Sequence, residues 1–257
     1  MSGIAELVAR RDLAINLVRV ELGSRYRSTL LGLAWFILTP LIMTVVLTVV
    51  FTVVFDVGIP DYPVFVLAAL LPWTFFQGAL MNGTTSVRRS ANLIKRARMP
   101  RLLLPIAAIG SHLVLLLISV VVLLALMLVL GTPLHRELIL LPVAVGLSVL
   151  SVTGLTVAGA ALNVPYRDVE LLANASLRVL FYLSPVLYPL DYVPAEWRTL
   201  YLLNPMAGTV EVWRDVVLRG TVPALDVIAI TVASSVALLV AGLWVFRRAE
   251  PTFEDFV

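Results

Sequence analysis

The 257-residue chain has no cysteine, a single lysine (Lys95) and two histidines, His112 and His135. Without cysteine there are no disulfides, no thiol catalysis and no thiolate metal sites. The two histidines lie near opposite ends of one apolar run and the loop after it, and no His–carboxylate cluster has ligand spacing. No metal site is expected. The lysine follows Ile94 rather than a glycine, so no phosphate-cradling GxxxxGK[ST] loop exists. The chain is not expected to hydrolyse ATP itself, and it carries no HExxH pattern. Charge is also scarce. Only 14% of residues are charged and 60% are hydrophobic, against about 25% and 45–50% in soluble domains. Polar surface on that scale cannot cover a fold of this size, so much of the surface must face lipid.

Six apolar runs follow one another. Leu30 to Phe55 has no charge and is long enough to cross about 30 Å of hydrocarbon. A turn of Asp56 to Asp61 leads into Tyr62 to Met81, with Pro72 as a possible kink. Leu102 to Leu130, Leu138 to Leu162, a shorter Leu171 to Leu190 and Leu225 to Phe246 complete the set. The fourth run is rich in Gly, Ser and Ala, which let helices approach closely, so it is expected inside the bundle. The fold class is therefore an all-α membrane protein with six transmembrane helices, forming one domain over residues 1–257. Ahead of them, residues 1–29 place Ile4, Leu7, Val8, Leu17 and Leu22 at helical spacing. This is an amphipathic helix, either in the membrane surface or on a partner protein. Glu6, Asp12 and Glu21 within it argue against a signal peptide.

Residues 84–101 hold Arg88, Arg89, Lys95, Arg96, Arg98 and Arg101 and no acid. Each charge at a span centre costs about 2.5–3.5 kcal/mol, so this stretch is expected as a loop. Its centre, Ser90 to Ala97, reads as a short helix capped by Ser90. Two further short helices, Pro194 to Leu203 and Pro205 to Arg219, start with prolines and cannot span. Over residues 191–222 they are expected as two re-entrant or interfacial helices on the outer side. With both termini inside, fifteen of the nineteen Lys and Arg residues fall on the cytoplasmic side, as the positive-inside rule requires.

No span has a central Asp, Glu or Lys, which proton- or sodium-coupled transporters use, so energy for any transport must come from elsewhere. His112 is either a proton or substrate group or a neutral histidine bonded to a neighbouring helix. Aromatics near span ends form an interfacial belt, or line a path for sugars whose C–H faces pack on the rings. The cluster Phe181, Tyr182 and Tyr188 beside Ser184, Pro185 and Pro189 favours the second. The basic loop either sets topology and touches anionic lipid, or docks a soluble partner.

The stretch VELGSRYRSTLLGLAWFILTP (20–40) resembles the N-terminal signature of permease subunits of type-2 ABC exporters, in the branch that moves O-antigen, teichoic acid and related glycans. LPWTFFQGAL (71–80), the turn with Asn163, Arg167 and Asp168, SPVLYP (184–189) and YLLNPM…VEVWRDVVLRG (201–220) match in the same order. The resemblance implies two permease copies with two copies of a separate ATP-binding subunit, which binds ATP and Mg. It implies membrane lipids and a polyprenyl-pyrophosphate-linked glycan as further partners, no nucleic acid and no cofactor in this chain. It makes residues 1–29 a gate helix, with substrate entry at Arg25, Arg27, Leu31 and Gly32. It makes residues 84–100 a coupling helix using Arg88, Arg89, Asn92, Lys95 and Arg96. Channel aromatics would be Trp35, Trp73, Phe76, Phe181, Tyr182 and Tyr188. A bacterial cytoplasmic membrane is the implied location. A drug or other small amphiphile is the alternative cargo. A membrane-embedded enzyme would need a catalytic carboxylate or His pair within the bilayer, and the sequence offers none.

Overall fold

The computed structural model describes residues 11–26, 32, 34–96 and 99–253. Regular structure among them is entirely helical. We number α1 (Arg11–Tyr26), α2 (Ala34–Val54), α3 (Tyr62–Arg89), α4 (Ala91–Arg96) and α5 (Leu103–Leu130), then α6 (Leu141–Leu162), α7 (Asp168–Tyr182), α8 (Ala195–Leu202), α9 (Pro205–Arg214) and α10 (Leu225–Ala249). Five are long and apolar enough to cross a membrane: α2, α3, α5, α10, and α6 with its lead-in turn from Arg136.

The expected fifth span is a different object. α7 begins three residues early, at Asp168, and stops at Tyr182. Its 15 residues reach about 22 Å, short of the hydrocarbon thickness. Pro185 ends it: proline lacks the N–H, and Ser184 before it is steered away from helical angles. The chain then turns through 183–189 before α8.

The expected loop from residue 84 is corrected too. α3 runs on to Arg89. Thr84, Ser86 and Val87 are buried, and Val87 packs with Val157, Ala160 and Ala161 of α6. The charge argument priced the arginines but not the neutral residues before them. α4 does form, with the Ser90 carbonyl accepting from the N–H groups of Leu93 and Ile94 at 2.9 and 3.0 Å.

Small residues hold α6 against α10, as expected of the fourth span. A side chain at Gly154 would strike the backbone of Leu238, and one at Gly242 would strike Gly154 itself. Ser151 joins this contact to Thr209 of α9 at 2.9 Å and to Ser235 of α10 at 3.2 Å. The most enclosed span is nevertheless α3, whose residues from Val64 to Phe76 are nearly all buried, whereas α2 is largely open.

α9 departs furthest from expectation. It carries Glu211 and Arg214, charges that would normally face water, yet all of Pro205–Arg214 is buried. Glu211 and Asp215 pair with Arg219. Arg214 is 0% exposed. Its guanidinium donates to the carbonyls of Val186 at 2.8 Å, Tyr188 at 2.9 Å and Phe65 at 3.5 Å. It also lies 3.6 Å from the centre of the Phe65 ring. Trp213 Nε1 donates to Ser148 Oγ at 3.0 Å.

Arg214→Met leaves those carbonyls unpartnered and should cost on the order of 2–5 kcal/mol. The melting point of the detergent-solubilised protein should fall by several degrees, with Arg214→Lys intermediate because an ammonium cannot fork. An unchanged melting curve for Arg214→Met would remove Arg214 from this role.

Candidate functional site

Because α7 stops early and α2 is loosely covered, a groove of about 420 Å³ opens between α2, α3 and α7. From α3 come Leu70, Trp73, Thr74 and Gln77, which share one helical face at spacings of three and four. From α7 come Leu177, Arg178, Phe181 and Tyr182, and from α2 Thr39, Pro40 and Met43. Three sequence-predicted aromatics meet here. Trp73 and Phe181 pack edge to face with centroids 5.3 Å apart, and Phe181 meets Tyr182 in the same way at 5.3 Å. Trp73 is buried and fixed, while Tyr182 is 68% exposed. Such a wall offers apolar ring faces beside hydroxyl, amide and guanidinium groups, the mixture that binds an amphipathic ring such as a pyranose.

The other three predicted aromatics sit elsewhere. Trp35 is half-exposed and lines an adjoining pocket that shares Thr39, Pro40 and Thr74 with the groove. Phe76 is buried behind Trp73, at a centroid distance of 5.8 Å. Tyr188 belongs to the 183–189 turn. Its hydroxyl bonds to the Tyr182 carbonyl at 2.8 Å and to the Tyr201 hydroxyl. The polar groove residues were missed, although the face formed by Leu70, Trp73, Thr74 and Gln77 carried the signal. Arg178, one of the fifteen basic residues counted above as cytoplasmic, lies ten residues into α7.

At the opposite end, the basic rim is partly internal. Arg88 pairs with Glu170 of α7 at 3.1 Å, and Arg89 with Glu21 of α1 at 2.6 Å. Both pairs are half-exposed and therefore individually weak, about 0.2–1 kcal/mol. They tie the end of α3, just before α4, to α1 and α7. Asn92 and Lys95 of α4 face outward. The side chains of Arg25 and Arg96, and residues Arg27, Leu31 and 1–10, lie outside the described residues. Gly32 has φ of 50°, a left-handed turn that glycine takes without strain, and its carbonyl accepts from Trp35 N–H at 3.4 Å. His112 is buried, with Nε2 3.0 Å from Asn82 Nδ2 of α3. That is the neighbour-helix arrangement.

These features define a multi-pass helical membrane protein with a lateral polar–aromatic groove. The chain belongs to the ABC-2 type transporter family, whose model matches residues 13–218. It is 31% identical over 260 residues to the O-antigen export system permease protein RfbA of Myxococcus xanthus, covering 99% of this chain and 98% of that one. It is 28% identical over 248 residues to a protein of the same name from Klebsiella pneumoniae, covering 96% and 95%. It is thus a transport subunit of the membrane.

α1 lies along the first turns of α5. A β-carbon built on Gly110 would stand 2.9 Å from Val18 Cγ2, which is within disulfide reach, where Cβ atoms are roughly 3.5–4.5 Å apart. In this cysteine-free chain, Val18→Cys with Gly110→Cys should oxidise to one disulfide. Both thiols should then resist maleimide until reduced. Free labelling after oxidation would place α1 elsewhere.

Proposed function

We propose that this chain is the transmembrane subunit of an ATP-driven exporter of lipid-linked polysaccharide of the O-antigen type, across a bacterial cytoplasmic membrane. Similarity to two export permeases over almost the whole of each chain carries this reading. The aromatic groove supports it, because aromatic rings set among polar groups suit a sugar chain better than a hydrophobic drug.

In this reading two copies of the chain assemble with two copies of a separate ATP-binding subunit that holds ATP and Mg. Both termini are cytoplasmic. α7 and the turn after it complete a sixth crossing, and α8 and α9 re-enter from the outside. A glycan on polyprenyl pyrophosphate enters from the inner leaflet beside the α1–α2 junction. Arg25, Arg27, Leu31 and Gly32 lie at that junction, and arginine suits a doubly charged phosphate group. The sugar chain passes along Trp35, Trp73, Phe181 and Tyr182 while the lipid tail stays in the bilayer.

α4 is the coupling helix, with Asn92, Lys95 and Arg96 toward the ATPase. Arg88 and Arg89 are better placed as relays than as docking groups. A push on α4 is transmitted through their ion pairs to Glu170 and Glu21, hence to the groove helix α7 and the gate helix α1. ATP-driven closure of the two ATPases would then spread or twist the permease pair.

Replacing residues 91–96 by a Gly–Ser linker should abolish co-purification of the ATPase. The pair reconstituted in liposomes should show ATPase activity stimulated by a polyprenyl-pyrophosphate oligosaccharide and not by hydrophobic drugs. With Val18→Cys and Gly110→Cys, oxidation should remove the stimulation and reduction restore it. No response to any glycolipid, or stimulation by drugs alone, would overturn the glycan reading.

A further inference from the structure

We propose that Arg178 reads negative charge on the transported glycan, making this a permease for acidic polysaccharide whose repeats carry a carboxylate or a phosphate. The inference rests on the glycan-export reading above and adds to it the charge class of the cargo.

The argument starts from depth. Glu170, eight residues before Arg178 on the same helix, pairs with Arg88 at the cytoplasmic end of α3. Arg178 therefore stands about 12 Å further in along α7, toward the middle of a bilayer core of about 30 Å. At that level it is exposed and borders the groove with Gln77 and Thr74. Among the described residues it has no hydrogen-bond, ion-pair or ring partner.

A guanidinium cannot lose its charge, and at membrane depth it needs water or a counter-charge. The chain cannot supply the counter-charge. No Asp or Glu occurs between Glu21 and Asp56, between Asp61 and Glu137, between Glu137 and Asp168, or between Glu170 and Asp191. Those gaps cover every stretch that reaches this level from α2, α3, α5, α6 and α7. A second copy of the same chain has the same gaps, so a partner α2 or α7 facing the groove brings no acid either. A counter-ion at this position therefore comes from outside the chain, and the cargo brings one.

The geometry favours the sugar repeat as its source. Trp73 and Phe181 line the same groove as Arg178, so a pyranose held against this wall would place an equatorial carboxylate or a bridging phosphate within reach. Arginine binds either group through two parallel N–H donors. The anchor pyrophosphate has the same chemistry, but it passes once per molecule and every acidic repeat passes in turn.

The test uses the permease–ATPase pair in liposomes with two synthetic substrates on one polyprenyl-pyrophosphate anchor. One oligosaccharide is built of neutral hexoses, the other carries a glucuronate in each repeat. Wild type should transport the acidic chain preferentially. Arg178→Gln should lower its transport roughly tenfold more than that of the neutral chain, and Arg178→Lys should recover part of the loss. An unchanged melting curve and retained co-purification of the ATPase serve as the control for folding. An equal loss on both substrates would assign Arg178 to the pyrophosphate or to structure and overturn the proposal. Equal transport of both by wild type and Arg178→Gln would overturn it as well. If wild type transports neither substrate, the glycan-export reading itself fails.

Discussion

The buried guanidinium of Arg214 is the interaction on which the rest of the arrangement depends. A transmembrane helix normally satisfies its own carbonyls, and broken backbone at membrane depth survives only where protein covers it. α7 breaks at Tyr182, which leaves the carbonyls of the 183–189 turn without helical partners. Arg214 supplies donors to two of them, at Val186 and Tyr188, and reaches Phe65 of the central helix α3 with a third. One side chain thus ties the turn, α9 and α3 together. Asn204 adds to this by donating to Ser184 Oγ at 2.9 Å while its own oxygen caps α9 at Met206 N–H. Because the break is satisfied in this way, α7 can end early, and the groove beside it exists.

A division of the molecule follows. α3, α5, α6, α9 and α10 form a dense block. α6 and α10 touch through glycines, and the hydroxyls of Ser151, Thr209 and Ser235 bond to one another inside it. Volume changes in such a block are costly. α2 and α7 are the opposite. Most of α2 is open, and one side of α7 is exposed from Leu171 to Tyr182. The groove lies where the dense block meets these two less supported helices. The ion pairs of Arg88 and Arg89 connect the same block to α7 and α1 at the end where α4 lies. A force applied at α4 therefore reaches the helices with the fewest packing constraints.

Much of this was legible in the sequence, and the failures have physical causes. Apolar run length gives α2, α3, α5, α6 and α10, because spanning requires length and little else. The small residues of α6 announce close packing, and the Ser184–Pro185 pair announces a break. Arg214 could not be found that way. Its neighbours Glu211 and Asp215 make the segment look amphipathic, and nothing local says that carbonyls distant in sequence await a donor. The extension of α3 to Arg89 was hidden for a related reason. Thr84 and Ser86 are polar enough to read as loop, yet a small polar residue facing Gly159 of α6 is a packing residue. For the groove, half the signal was present. The aromatics were identified, but periodicity on α3 had to be combined with α7 across more than a hundred residues before Gln77 and Arg178 joined them.

Arg178 and Arg214 show why burial and partners, rather than charge alone, separate structure from function here. Both are arginines on helices too short to span, and neither has an acid partner among the described residues. Arg214 is enclosed and satisfied by backbone oxygens, so its charge is used within the fold. Arg178 is open to a groove whose walls hold hydroxyls, an amide and aromatic rings but no anion. A fold that neutralises one membrane-level cation with carbonyls and leaves a second facing a cavity has kept an interaction for something outside itself. In a chain with no acid at that depth, a cation left open on the groove wall makes selection by charge available to the cargo alone.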